Sequence, residues 1–157
     1  MDVTEVVPLT DSLIASIFEN ADYRDGFRVS LSRDPHAGIE GFVTDYFRNQ
    51  PAWLRLVSMN TMSLSKLARA IGDESYRPGT AIGSWKIYER STDEIVFGDS
   101  MGFMEYRFSL RLSRKEPCSV EVSTSVRYLW RRTGRFYFAI VRPWHKRFIR
   151  MSLRHAL

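Results

Sequence analysis

Hydrophobic positions near the C-terminus recur with the period of a helix. Between Gly134 and Leu157 the apolar residues are spaced by three or four, which places them on one helical face: Tyr137, Val141, Trp144, Phe148 and Met151. Phe136, Ile140 and Ile149 widen this stripe. At 1.5 Å per residue such a helix spans about 36 Å. We expect it to pack across a broad sheet.

From Ser84 the hydrophobic period changes to two, which is typical of half-buried strands. The apolar positions of four successive strands are Trp85 and Ile87, then Ile95 and Phe97, then Met104 to Leu112, then Val120 to Tyr128. Turn-forming residues separate them at 91–93, 98–102 and 114–117. This spacing favours an antiparallel meander.

The chain before the meander mixes helical and strand patterns. Apolar spacing predicts a short helix over Leu13–Phe18 and, after a break at Asp22–Gly26, a strand over Phe27–Leu31. Helical spacing returns over Ile39–Phe47 and again between Pro51 and Gly72. We therefore predict one α+β domain over residues 1–157. It consists of an antiparallel curved sheet that grips the long C-terminal helix, with two or three helices inserted after the first strand.

Composition narrows the class of protein. No run of about 18 apolar residues exists, and the first residues lack the basic and apolar regions of a signal peptide. Cys118 is the only cysteine, so neither an internal disulfide nor a thiolate metal cluster is available. We expect a cytoplasmic protein with no transmembrane segment, no metal and no cofactor.

Charge is distributed unevenly along the chain. From Arg127 onward there are nine Lys and Arg residues and no acidic residue, within a chain of net charge +5. Exposed helix faces are normally charged, so we interpret this segment first as a solvated surface. A surface for phosphate or anionic lipid is the alternative.

Several short motifs resemble known proteins over nearly the whole chain: the segments 22–29, 83–91, 105–110, 134–138 and 142–145. The layout resembles the helix-grip proteins of the START/Bet v 1-like (SRPBCC-like) type. More narrowly, the chain resembles a bacterial family of unknown function. Its members stand alone or lie C-terminal to NAD(P)-binding domains similar to short-chain dehydrogenases. The resemblance implies a cavity between sheet and helix, and an NAD(P)-binding oxidoreductase as a partner.

Three residues are candidates for catalysis. His145 follows Pro143 in the last helix, where proline removes a backbone donor and frees a carbonyl group one turn earlier. Glu89 shares strand parity with Trp85 and Ile87, so we expect it to point inward, near Asp25. Three scattered histidines without cysteine pairs do not indicate a zinc site.

Three functions remain open at this point. The first is binding of a small hydrophobic molecule, lipid-like or aromatic, in an apolar pocket lined by Trp85, Phe97, Phe108, Tyr137, Val141 and Trp144. The second is a cyclase or hydratase that uses a histidine or carboxylate in that pocket. The third is contact of the basic helix with nucleic acid or an anionic membrane, and we rank it last.

Overall fold

The computed structural model describes residues 2–8, 10–32, 38–51, 77–82, 85–115 and 117–157. Its strands form one antiparallel sheet in the order β1-β2-β7-β6-β5-β4-β3. The strands are β1 (Thr4–Val6), β2 (Tyr23–Ser30), β3 (Ala81–Ile82), β4 (Trp85–Arg90), β5 (Glu94–Ser100), β6 (Met104–Ser113) and β7 (Ser119–Tyr128). Strands β3 to β7 follow the order of a simple meander. β2 then pairs with β7, and β1 pairs with β2 at the edge of the sheet.

Within the described residues, three helices pack on the two faces of this sheet: α1 (Leu13–Ile17), α2 (Ile39–Arg48) and α3 (Arg131–Ala156). The long helix α3 contacts α2 and lies over β2 and β7. α1 packs on the opposite face, where the buried Glu94 carboxylate accepts hydrogen bonds from the backbone N–H groups of Leu13 and Ile14. Both faces of the central strands are therefore covered, and every residue of β7 from Ser119 to Val126 is buried.

Strand register sets the order of side chains beneath α3. Asp25 of β2 lies directly opposite Thr124 of β7, which lies opposite Phe108 of β6, which lies opposite Phe97 of β5. Because side chains alternate between the faces of a strand, directly opposite residues share a face. This row is polar at β2 and β7 and aromatic at β6 and β5.

The predicted α+β class is confirmed, and so is the long C-terminal helix beside an antiparallel sheet. The sheet is larger than predicted, because β1 and β3 were not anticipated. β2 starts at Tyr23, where the sequence suggested a turn, and β5 continues to Ser100. In both places pairing with the neighbouring strand overrides the local preference of glycine and aspartate for turns. The helical pattern between Pro51 and Gly72 falls on residues 52–72, outside the described residues.

The rotation of α3 about its axis differs from the prediction. Phe136, Ile140 and Trp144 are exposed, although the predicted apolar stripe and its flanks included all three. The face toward the sheet instead contains Gly134, Phe138, Ile149, Ser152, Leu153 and Ala156. Apolar residues occur on two adjacent sectors of this helix. Packing against the sheet buries one of them fully, whereas Tyr137, Val141 and Phe148 of the predicted stripe are half-buried.

Glycine permits a close approach at the start of α3. A methyl group at Gly134 would lie 2.7 Å from Cδ1 of Tyr128, so a larger residue would push the helix away from the end of β7.

In the parts of the chain that the structure describes, no helix combines the length and apolar character needed to cross a membrane.

Candidate functional site

An apolar cavity of about 260 Å³ lies between the sheet, the end of α2 and the middle of α3. Its walls combine aromatic and aliphatic side chains with a few polar ones: Tyr46, Phe47, Gln50, Trp85, Met101, Met104, Tyr106, Phe108, Thr124, Val126, Tyr137, Phe138, Val141, Trp144, His145, Phe148 and Ile149. Pockets for drug-sized ligands usually measure roughly 300–1,000 Å³. This cavity therefore suits a smaller molecule.

Five of the six residues predicted to bind a ligand line this cavity: Trp85, Phe108, Tyr137, Val141 and Trp144. Trp144 lies at the mouth, because 71% of it is exposed. Phe97 is the exception and is fully buried beneath the cavity wall. Its ring stacks on Phe108 with the ring centroids 5.2 Å apart, so Phe108 separates it from the cavity.

Thr124 and His145 form a polar corner of the cavity, and Asp25 lies beside them, outside the cavity lining. Asp25 and Thr124 face α3 from paired positions of β2 and β7, and His145 of α3 lies above them. Nε2 of His145 is 3.2 Å from Oγ1 of Thr124, within hydrogen-bond distance, and 3.6 Å from Oδ1 of Asp25. The sheet register thus brings two of the three predicted catalytic residues together.

Asp25 is almost fully buried, and its two oxygens differ. Oδ2 accepts a hydrogen bond of 2.7 Å from the Tyr23 hydroxyl group. Oδ1 has no hydrogen-bond donor within the described parts of the chain and faces His145. A buried carboxylate oxygen without a donor is costly, so this atom is well placed to accept a hydrogen bond from His145.

Tyr23 connects this corner to the protein surface. Its ring packs against Phe138, and the Arg142 guanidinium lies 5.0 Å from the ring centroid. Burial, together with the hydrogen bond to Asp25, raises the pKa of Tyr23 well above its usual range. The phenol therefore stays protonated and acts as a hydrogen-bond donor to Asp25.

A second polar group faces the cavity from the end of α2. Gln50 is buried, and neither its side-chain nitrogen nor its oxygen has a hydrogen-bond partner among the residues described. Elsewhere on the wall Trp85 donates a hydrogen bond of 3.0 Å from Nε1 to the Tyr106 hydroxyl oxygen. The Gln50 amide thus offers one donor group and one acceptor to a molecule in the cavity.

Glu89 does not belong to this site. The residue is exposed, which corrects the expectation that it points inward with Trp85 and Ile87. The register between β4 and β5 shifts between Ile87 and Glu89. Such a bulge changes which face the following side chains occupy, so strand parity fails beyond Ile87.

Thr124 and Gln50 were missed as site residues. Strand alternation indicates that Thr124 shares a face with Val122 and Val126, and a polar residue on an otherwise apolar face is a usable signal. Gln50 follows the last turn of α2 and carries no comparable signal. Across the described ranges, no group of three His, Cys, Asp or Glu side chains is placed to hold a metal ion.

The geometry defines an α+β protein with an open apolar cavity between an antiparallel sheet and a C-terminal helix. Comparison with protein families gives a match to DUF2867, described as a protein of unknown function, over residues 17–152. The chain belongs to this family. A search of curated proteins found no match.

Proposed function

We propose that this protein binds a small, largely apolar molecule between its sheet and α3, in the manner of the helix-grip proteins that it resembles. The cavity is the observation that carries this proposal, since most of its wall is aromatic or aliphatic. A volume of about 260 Å³ favours a single-ring or two-ring compound, or a short acyl chain, over a complete lipid.

The unpaired polar atoms suggest what kind of ligand this is. Gln50 lines the cavity without a hydrogen-bond partner among the described residues, and its amide both donates and accepts. A carbonyl or hydroxyl oxygen on the ligand would satisfy the nitrogen of Gln50, and a hydroxyl or N–H group would satisfy its oxygen. The proposed ligand is therefore an apolar ring or chain with one or two polar substituents.

A cavity-filling variant tests this proposal. N-phenyl-1-naphthylamine is an uncharged dye that fluoresces in apolar surroundings, and we expect the wild-type protein to bind it. Val141→Phe adds volume at the cavity wall and should weaken dye binding by about tenfold or more. Ile140→Phe adds a ring at the adjacent, exposed position and is the matched control, which should bind like wild type.

Two results would contradict the proposal. One is equal binding by wild type and Val141→Phe, because the dye would then bind elsewhere. The other is an equal loss in both variants, which would assign dye binding to the outer surface of α3. Near-ultraviolet circular dichroism of each variant verifies that the fold is retained.

A second candidate function is catalysis of a cyclase or hydratase type, favoured by His145, which lines the cavity and lies beside the buried Asp25. With Nε2 turned toward Thr124 and Asp25, Nδ1 is the remaining ring nitrogen for a ligand. A histidine beside a buried carboxylate is suited to accept a proton and hold the resulting charge.

Mass spectrometry of molecules that co-purify with the protein tests this second function. Incubation of such a molecule with wild type should add the mass of one water or give an isomer of changed retention. His145→Gln should bind the molecule and leave it unaltered. Conversion at the same rate by the variant would exclude a role for His145, and an unchanged molecule with wild type would leave binding as the function.

The resemblance noted above adds a cellular setting to the proposal. We propose a bacterial, cytoplasmic protein that assists an NAD(P)-binding oxidoreductase by binding its substrate or product. The residues of the cavity, rather than a cofactor site, would bind that substrate or product. We expect the wild-type protein to accelerate the reaction of the oxidoreductase, and we expect Val141→Phe not to accelerate it.

A further inference from the structure

The outward face of α3 exposes large apolar side chains. Phe136, Ile140 and Trp144 are 72%, 59% and 71% exposed, and they follow one another at intervals of four residues. At this spacing they form one stripe about 12 Å long. Leu129 and Trp130, which immediately precede α3, are exposed as well. Large contiguous apolar patches on a folded protein usually mark a contact surface.

These three residues, here called the outward stripe, do not stabilise the core. The sheet is contacted from the other side of α3, where Phe138, Ile149 and Leu153 are buried. A solvated helix face would be expected to be polar at the positions of the outward stripe. Their apolar character is thus unexplained by folding alone.

Positive charge surrounds the outward stripe. Arg132 lies one turn before Phe136 on the same face, and Arg147 lies one turn after Trp144. Neither arginine makes an ion pair within the described ranges, whereas Lys146 pairs with Glu5. No acidic residue occurs from Arg127 to the C-terminus, so nothing on the helix neutralises these charges.

We propose that the outward stripe is a docking surface for an anionic lipid membrane. Aromatic and aliphatic side chains on one helical face, flanked by arginine, are the features of helices that lie in the plane of the bilayer interface. The stripe enters the boundary between headgroups and acyl chains, and Arg132 and Arg147 contact lipid phosphates. Ile140 at its centre favours hydrocarbon over a nucleic acid, since stacking on bases requires planar side chains.

Docking would place the cavity mouth close to the membrane. Trp144 belongs to the outward stripe and also lines the cavity, so an apolar ligand could pass between bilayer and cavity with little exposure to water. The docking proposal does not depend on ligand binding. Val141→Phe, which fills the cavity, should leave membrane binding intact.

Vesicle sedimentation tests the docking surface. Wild type should sediment with vesicles that contain phosphatidylglycerol, bind pure phosphatidylcholine vesicles about tenfold or more weakly, and dissociate as salt rises. Trp144 fluorescence should shift to shorter wavelength on binding, and Trp144→Phe should remove that shift. Absence of binding to phosphatidylglycerol vesicles would overturn the proposal.

Matched variants assign the binding to the stripe. The double variant Phe136→Ser, Ile140→Ser should lose at least about tenfold in vesicle affinity, whereas Val7→Ser, at an exposed apolar residue outside α3, should not. Arg132→Gln with Arg147→Gln should weaken binding, and Lys86→Gln should not. Undiminished binding by the double variant would overturn the proposal. So would a wild-type dimer, or a complex with RNA, that the double variant abolishes while vesicle binding persists.

Discussion

Asp25 and His145 meet across the interface between sheet and helix, with Oδ1 of the aspartate 3.6 Å from Nε2 of the histidine. The pairing of β2 with β7 positions the carboxylate, and the rotation of α3 positions the imidazole. Tyr23 completes the arrangement, because its hydroxyl group donates a hydrogen bond to the other carboxylate oxygen.

The first prediction concerns the Tyr23–Asp25 hydrogen bond. In a double-mutant cycle of Tyr23→Phe and Asp25→Ala, we expect a coupling energy of about 1–2 kcal/mol in the free energy of unfolding, because the acceptor is a buried carboxylate. Urea denaturation of the four proteins measures it. Additive effects of the two substitutions would show that the hydrogen bond contributes nothing.

The second prediction concerns alkaline pH. Burial raises the pKa of Tyr46, so this residue keeps its proton in the folded state, whereas unfolded tyrosine ionises near pH 10. Above about pH 10 the unfolded chain has released a proton that the folded chain retains, and the free energy of unfolding therefore falls as pH rises. Denaturation between about pH 8 and 11 should show a smaller loss for Tyr46→Phe than for wild type. Identical losses would contradict the assignment.

The third prediction concerns the contact between Gly134 and Tyr128. Replacement of a helical glycine by alanine normally stabilises by up to about 1 kcal/mol. Here the new Cβ atom would lie 2.7 Å from Cδ1 and 3.0 Å from Cβ of Tyr128, so Gly134→Ala should destabilise by about 1–3 kcal/mol. Thr133→Ala, at the exposed neighbouring position, should not destabilise. A rise in melting temperature for Gly134→Ala would show that α3 can shift without cost.

The fourth prediction concerns the carboxylate that caps α1. Glu94→Ala leaves the N–H groups of Leu13 and Ile14 without this acceptor and should lower the free energy of unfolding by about 1–2 kcal/mol. Glu94→Gln retains an acceptor oxygen and should cost less. Glu89→Ala, on the adjacent strand and exposed, should stay within about 0.5 kcal/mol of wild type. Thermal denaturation compares the three variants, and equal melting temperatures would exclude a capping role.

Local periodicity was sufficient to predict the strands β6 and β7 and the extent of α3. The alternation from Met104 to Leu112 and from Val120 to Tyr128 corresponds to the observed strands. The prediction succeeds because the periodicity of the backbone determines which face of a helix or strand each side chain occupies. For the same reason most of the residues predicted to line the pocket do so, with Phe97 as the exception.

The tertiary structure decided what depends on contacts between elements. It left Trp144 largely exposed at the cavity mouth and placed His145 beside Thr124 of the sheet, because the rotation of α3 is set by its packing. It turned Glu89 to solvent through a bulge that a period of two does not reveal. It also brought Asp25, Thr124 and His145 together, since strand register and helix rotation are set by the packing of the whole chain. The sequence alone thus determined the elements and the α+β class, and packing determined which residues form the site.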